Sequence, residues 1–519
     1  MVFMLRTCGV NLGHYLTRTA RNRPDAIALT CADQRWTYAE LDAESNRIAS
    51  ALRARGFTRG TRVATLAGNR GELVVVEMAL CKAGLVRVPL SPRLSAAEIG
   101  QVLADAEPRA VFVDRAHRDT LRPLLDDAAL VVELDAGEGF SYRQLVAEGD
   151  EAEIAVDVSP DDPAVLNFTS GSSGTLKAAV QTVGNRLACL RKLAMRGTGD
   201  TEVYLAPGPI THASGMGILS CFFRGSTVVV LPAFDVEGYL DVLERERVTT
   251  TFLVPAMLNR VLASPTLAER DLSALRSLTL GGAPVSPTRL REAVAAFGPV
   301  VAQGYGQAET TSAITHLSAE EIAHAVEADP ELLLSCGRPV FDTEVRVVDD
   351  SGAPVPPGVI GEVVARGPDC VREYHRAPEA SAETFRDGWV RTGDLGRFRE
   401  DGYLFLVDRK KDMIVSGGYN VYCTEVEAAL YTHPDVDEAC VHGVPDEEWG
   451  ETVKACVVRR AGSDVGADAL VEACAARIAR HKIPRVVEFL DALPRTRTGK
   501  VDRRALRERD WTGVERRIG

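Results

Sequence analysis

Four short stretches carry residue types that could handle a phosphorylated ligand. Thr169-Ser170-Gly171-Ser172-Ser173-Gly174-Thr175-Leu176-Lys177 follows the apolar run 164–168, so a strand feeds a glycine- and hydroxyl-rich loop. Glycines let backbone N–H groups approach phosphate oxygens, hydroxyls add donors, and Lys177 supplies a point charge. The spacing from Gly171 to Lys177 is not the GxxxxGK[ST] pattern, and a plain Ser/Gly surface loop is the alternative. Gln303-Gly304-Tyr305-Gly306-Gln307-Ala308-Glu309-Thr310, after the strand-like run 299–302, offers an aromatic face, a carboxylate and a hydroxyl on one loop. Those suit a purine, a magnesium ion and a phosphate, although Gly-Tyr-Gly turns are common. Arg391-Thr392-Gly393-Asp394, with Asp408-Arg409-Lys410-Lys411-Asp412 beyond it, could hold both hydroxyls of a ribose on a carboxylate beside an arginine. A turn and a surface ion pair would look the same. In Pro494–Lys500, Lys500 follows Gly499 within a basic tail: residues 477–517 hold thirteen Lys/Arg against six Asp/Glu. That tail suits a small phosphorylated ligand, or is a solvated helical surface.

The elements between these stretches must place them. Thr37-Tyr38-Ala39-Glu40 is a capping box, Leu41, Ile48 and Leu52 follow at helical spacing, and Gly56 ends the helix. Short apolar runs at 62–67, 110–113, 228–231, 250–254 and 277–280 alternate with helical stretches such as 72–83 and 255–262. That alternation predicts layered α/β structure with largely parallel sheets. From Cys336 to Asp408 the chain is rich in Gly, Pro and short strands (343–348, 361–365), which predicts a β-rich subdomain; a smaller α/β segment follows. The main boundary is expected at the charged tetrapeptide Asp408-Arg409-Lys410-Lys411, after a large N-terminal domain over 1–408.

With 519 residues the chain is too long for one ordinary core, and 45% hydrophobic with 26% charged residues is the composition of a globular protein. A net charge of -13 argues against a general nucleic-acid binder. Eleven cysteines without a CxxC pair fit neither a disulfide framework nor a zinc site, and Cys81, Cys189, Cys221 and Cys456 lie in apolar runs expected to be buried. No run has the length of a membrane helix, and 1–10 lacks a signal peptide's apolar core, so the expected location is cytoplasmic.

Taken together, in this order and over nearly the whole length from Asn11 to Lys500, the four stretches resemble the adenylate-forming superfamily of acyl-CoA synthetases, peptide-synthetase adenylation domains and luciferases. The resemblance is strongest to an acyl-CoA ligase using ATP, Mg2+ and coenzyme A. It implies that Thr169–Lys177 orients the ATP phosphates. Gly281, Gly282, Ala283 and Pro284, with Gln303, Gly304 and Tyr305, form the adenine pocket and one wall of the acid pocket. Thr310 contacts phosphate, Glu309 holds magnesium, and Asp394 and Arg409 bind the ribose. His212, Ser214, Gly215 and Met216 lie beside the acid, and Gly417, Gly418 and Tyr419 line the thiol's approach. The resemblance also implies a hinge at 409–411, with Lys411 as the hinge residue, and a small mobile α+β domain over 412–519. Lys500 is the catalytic lysine of the first half-reaction.

That chemistry is physically consistent: a carboxylate attacking an α-phosphate is anion meeting anion, so positive charge and alignment must be supplied. A lysine on a hinged domain could leave after the first step and let a thiol approach. The sequence departs from the family pattern at Leu176 (usually proline), Ala178 (glycine) and Ala308 (a hydroxyl residue), while Asp408 and Lys411 give a luciferase-like hinge. Few residues follow Lys500, so a fused carrier domain is not expected. A stand-alone enzyme loading a separate carrier protein and a non-catalytic nucleotide binder are the alternatives. Small walls in the acid pocket suggest a medium, bulky or aromatic monocarboxylate.

Overall fold

A computed structural model describes residues 11–512 except 127, 136, 138, 155, 171–175, 196–201 and 497–500. The chain forms two compact units. The first comprises residues up to Val345 together with Ala365–Arg391, and the second Arg346–Val364 with Thr392 onward. The expected hinge, 409–411, lies inside the second unit.

The first unit carries two sheets. One has nine strands, and its centre is parallel: Ile27–Cys31, Thr227–Val230, Val203–Ala206, Thr250–Leu253, Ser277–Gly281 and Val301–Gly306 run side by side. Antiparallel strands close both edges, Gln34–Thr37 on one side, Ala313–Leu317 and Arg338–Pro339 on the other. The second sheet runs Leu130–Glu133, Ala110–Val113, Arg62–Leu66, Val86–Leu90, Pro163–Ser170, Leu176–Thr182, parallel except for the last pair. Strands such as Val86–Leu90 and Ala110–Val113 are buried throughout, as a parallel sheet covered on both faces requires. The α/β layering predicted from alternating apolar runs is therefore present.

Local signals explain several boundaries. Thr37 and Glu40 form the reciprocal cap expected of them, and the helix Tyr38–Ala54 ends before Gly56, whose φ is 79°. Pro255 opens the helix Pro255–Leu262, where a missing N–H costs nothing. In the second unit Leu404–Arg409 pairs antiparallel with residues 394–398. A further sheet joins Tyr419–Val421, Ile414–Ser416, Gly450–Arg459, Val436–Asp446 and Val486–Phe489, with the helices Cys423–Leu430, Ala467–Ala475 and Arg503–Asp510. Cys189, Cys221 and Cys456 are buried as expected, whereas Cys81 keeps partial exposure.

Candidate active site

In open parallel sheets ligands lie beyond the carboxyl ends of the strands. In the first unit those ends carry Val254, Gly282 and Gln307. Gly281 and Gly304 are register partners on adjacent strands. A methyl on Gly281 would sit 3.1 Å from the Phe252 ring and 3.2 Å from the Gly304 carbonyl, a tight fit that a larger residue would strain. Gly282 adopts φ 81°, a conformation that favours glycine. Gln303, Gly304 and Tyr305 are in a strand, not the loop expected from their composition. Ladders on both sides hold them there, and Gly306 lies so close to the Ser312 carbonyl that a Cβ would be 2.3 Å from it. Gln303 donates its amide N–H to the Ser335 carbonyl.

Thr169 and Lys177, read from sequence as members of one loop, are directly opposed on two antiparallel strands, with Ser170 opposite Leu176. The intervening Gly171, Ser172, Ser173, Gly174 and Thr175 lie outside the described residues. The Lys177 ammonium stands 5.7 Å from the centroid of the Tyr374 ring. Tyr374 donates its hydroxyl proton to Glu309 Oε1 at 2.7 Å. Glu309 is buried, in a short 3-10 turn Ala308–Thr310, and its carbonyl accepts the Val371 N–H at 2.9 Å. Burial, and secondly the Glu309 charge, push the Tyr374 phenol well above its usual pKa, so it remains a donor. Thr310 is fully buried; its hydroxyl caps the turn through Gln307 N at 3.0 Å and donates towards the Gln307 and Ser312 carbonyls. Behind this turn, buried Asp369 accepts hydrogen bonds from Ser312 and, at 2.6 Å, from buried Lys192.

The segment expected beside the acid is a turn ending in the 3-10 helix Ala213–Gly215. His212 is exposed, with Nδ1 2.8 Å from the Thr211 hydroxyl. Ser214 is buried; its hydroxyl accepts the Gly208 N–H at 3.2 Å and its carbonyl accepts the Tyr204 hydroxyl at 2.8 Å. Asn69 ties this turn to the sheet, donating to the Gly208 carbonyl at 2.7 Å and accepting the Ile210 N–H at 2.9 Å. A methyl on Gly208 would lie 3.4 Å from Met257 Cε, which places a flexible apolar side chain against the turn. Tyr204, Asn69, Met257 and Tyr374 were not singled out from sequence. Tyr204 and Met257 carry no signal of their own in the sequence, and only the position of Asn69 just after the strand Arg62–Leu66 could have drawn attention to it.

Within the second unit, Asp394 and Arg409 are cross-strand partners, with Arg409 Nε 3.1 Å from Asp394 Oδ1; the carboxylate is buried and the guanidinium exposed. Asp408 is buried and accepts backbone N–H groups from Arg409, at 2.7 Å, and from Cys423. Burial outweighs Arg503 and those hydrogen bonds, and the Asp408 pKa rises to about 6. Burial also lowers the Lys411 pKa, against the opposing charge of Asp412. The Lys411 carbonyl accepts from Arg507 at 3.2 Å, and Arg507 also meets Asp412 at 3.1 Å. Gly417, at φ 58°, donates to the Trp449 carbonyl at 2.9 Å; Gly418 has φ 84°, and exposed Tyr419 stacks on His481 with centroids 4.8 Å apart. Lys500 lies outside the described residues. Its flanks are pinned by the Asp502 N–H on the Pro494 carbonyl, at 2.7 Å, and by a bridge between Arg495 and Val501.

Glycines at the carboxyl ends of adjacent parallel strands, Gly281, Gly282 and Gly304, mark the region where open α/β sheets bind ligands, nucleotides among them. The chain belongs to the AMP-binding enzyme family: that family's model matches residues 16–375, and the model of the AMP-binding enzyme C-terminal domain matches 425–500. It is 39% identical over 501 residues to a feruloyl-CoA synthase of Amycolatopsis sp, covering 96% of this chain and 99% of that one. It is 35% identical over 509 residues to the fatty acid–[acyl-carrier-protein] ligase ScoC of Streptomyces coeruleorubidus, covering 96% of each. Among solved structures, the amide bond synthetase McbA of Marinactinospora thermotolerans superposes with a TM-score of 0.87 at 33% identity, over 96% of this chain and 99% of that one.

Proposed function

We propose that the protein is an acid–thiol ligase: it joins a carboxylic acid to the α-phosphate of ATP, releasing pyrophosphate, and passes the acyl group from the adenylate to coenzyme A, releasing AMP. The observation that carries this reading is the assembly of Lys177, Tyr374 and Glu309 in the first unit of a chain aligned end to end with a feruloyl-CoA synthase.

The substrate carboxylate is the nucleophile, so the protein supplies alignment and positive charge. Thr169 to Thr175 and Lys177 cradle the phosphates, Thr310 lies under them, and Gly282, Ala283, Pro284 and Gln303 to Tyr305 take the adenine. Asp394 and Arg409 take the ribose, and Lys500 compensates the charge that develops as pyrophosphate leaves. Glu309 fits a magnesium site of the kind completed by substrate phosphates. It is one buried carboxylate with one oxygen held by Tyr374, and no cluster of three or more ligand residues exists among the described residues. Bound there, magnesium would neutralise phosphate charge. Residues 409–411 would act as the hinge between a 1–408 domain and a 412–519 domain, bringing Gly417, Gly418 and Tyr419 to the thiol's path for the second step.

For the acid we infer a medium, bulky or aromatic monocarboxylate: apolar side chains stand against glycines here, Met257 beside Gly208, Val254 beside Gly282 and Phe252 beside Gly281, and Gly304 adds a further small wall. His212, Ser214, Gly215 and Met216 border the same region. The similarity to ScoC supports a carrier-protein thiol as an alternative acceptor, and the similarity to McbA supports an amine. No helix among the described residues is long and apolar enough to cross a membrane. With ten free cysteines among the described residues, we propose the cytoplasm as the place of action.

The test is to incubate the protein with ATP, magnesium and pooled carboxylic acids, with and without coenzyme A, and to identify products by mass. Acyl-CoA with AMP is expected, aromatic acids leading. Acid-dependent pyrophosphate exchange without thioester would move the acceptor to a carrier protein or an amine. A preference for dicarboxylates over matched monocarboxylates would refute the acid class.

A further inference from the structure

Tyr374 lies between two opposite charges and belongs to none of the stretches that stand out in the sequence. Its hydroxyl takes one oxygen of Glu309, at 2.7 Å, and its ring face meets the Lys177 ammonium at 5.7 Å, within cation–π range. The residue is fixed independently of both: its backbone bridges Ala179, its N–H donates to the Ser381 hydroxyl at 2.9 Å, and its ring packs on Phe385 with centroids 5.0 Å apart. Backbone contacts at Val180 with Glu373 and at His375 with Ala178 stitch the same segment onto the strand that carries Lys177. The ring is therefore part of the frame and does not depend on either charge for its position.

A lysine and a glutamate facing one cleft attract each other, and the attraction strengthens as water is excluded. Paired directly, they would neutralise the ammonium needed at phosphate and the carboxylate needed at the metal. Here each meets Tyr374, and among the described residues the two form no ion pair with each other. We propose that Tyr374 is a positioning residue that separates Lys177 from Glu309, orienting one carboxylate oxygen by its hydroxyl so that the other faces the metal, and holding the ammonium on its ring. The proposal rests on the roles given above to Lys177 and Glu309.

Tyr374→Phe keeps the ring and removes the hydroxyl; Tyr374→Leu removes both. For the Phe variant the magnesium concentration that half-saturates acid-dependent pyrophosphate exchange should rise about tenfold, the usual effect of losing a partner that orients a ligand. Mn2+ binding in the presence of a non-hydrolysable ATP analogue, followed by electron paramagnetic resonance, should weaken by a similar factor, with the KM for ATP little changed. The Leu variant should raise the KM for ATP as well, since Lys177 loses its support. Unchanged Mn2+ affinity in Tyr374→Phe overturns the proposal, because a ring that merely fills space would tolerate Phe; an equal KM for ATP in the Phe and Leu variants overturns it too, because the ring would then do nothing for Lys177. Glu309→Gln separates the two levels. If it too binds Mn2+ like the parent, the role given to Glu309 fails. If it loses Mn2+ while Tyr374→Phe does not, only the proposal fails.

Discussion

Replacing Asp408 by Asn should flatten the pH dependence of stability in the second unit. The Asp408 carboxyl is 5% exposed, and burial raises its pKa from 3.8 to about 6. A carboxyl whose pKa is higher folded than unfolded binds more protons in the folded state. Its favourable contribution is complete below the unfolded pKa and is lost as pH rises through the folded one. The full shift of roughly 2 units corresponds to about 3 kcal/mol, and the portion between pH 4.5 and 7 to about 2 kcal/mol. Asn cannot titrate, so the wild type should lose about 2 kcal/mol more than the variant over that interval. Any change common to all pH values, such as the lost second acceptor, cancels. The reporter is the helix Cys423–Leu430, whose first N–H is held by Asp408. Its opening free energy can be followed by hydrogen–deuterium exchange, corrected for intrinsic rates. Equal pH dependence in the two proteins, or a steeper loss in the variant, would refute the reasoning.

Two further substitutions probe other parts of the account. Gly417→Ala would place a Cβ 2.2 Å from Trp449 Cε3 at φ 58°. It should slow thioester formation by about tenfold or more through misplacement of the thiol's path while leaving pyrophosphate exchange nearly intact, as paired assays would register. Lys192→Met would leave Asp369, 0% exposed, without its cation. A loss of about 3–5 kcal/mol is expected, read as a lowered thermal midpoint, because a buried charge is stranded.

Much of the fold was legible because its signals are local. The capping box at Thr37 and Glu40, the proline at 255 and the apolar runs at 110–113 and 277–280 each fix an element with nearby atoms. What sequence obscured depends on partners far along the chain. Gln303 to Gly306 looked like a loop because three-dimensional neighbours, not their own propensity, hold them in a strand. Lys177 looked like a loop residue because its pairing with Thr169 across a hairpin is not written in the glycines between them. Tyr374 was invisible for the same reason: sixty-five residues separate it from Glu309. The family's motifs were readable since each is contiguous, and the comparison with known proteins places the chain in that family over most of its length.

The central claim is a two-step ligation in which Lys500 serves the first step alone. The decisive measurement compares wild type and Lys500→Ala in two assays: acid-dependent pyrophosphate exchange, and transfer to coenzyme A from an acyl-adenylate supplied ready-made. The account predicts that exchange collapses in the variant, by at least about a hundredfold as expected for loss of a charge aimed at the transition state, while transfer persists. Exchange near the wild-type rate would contradict it.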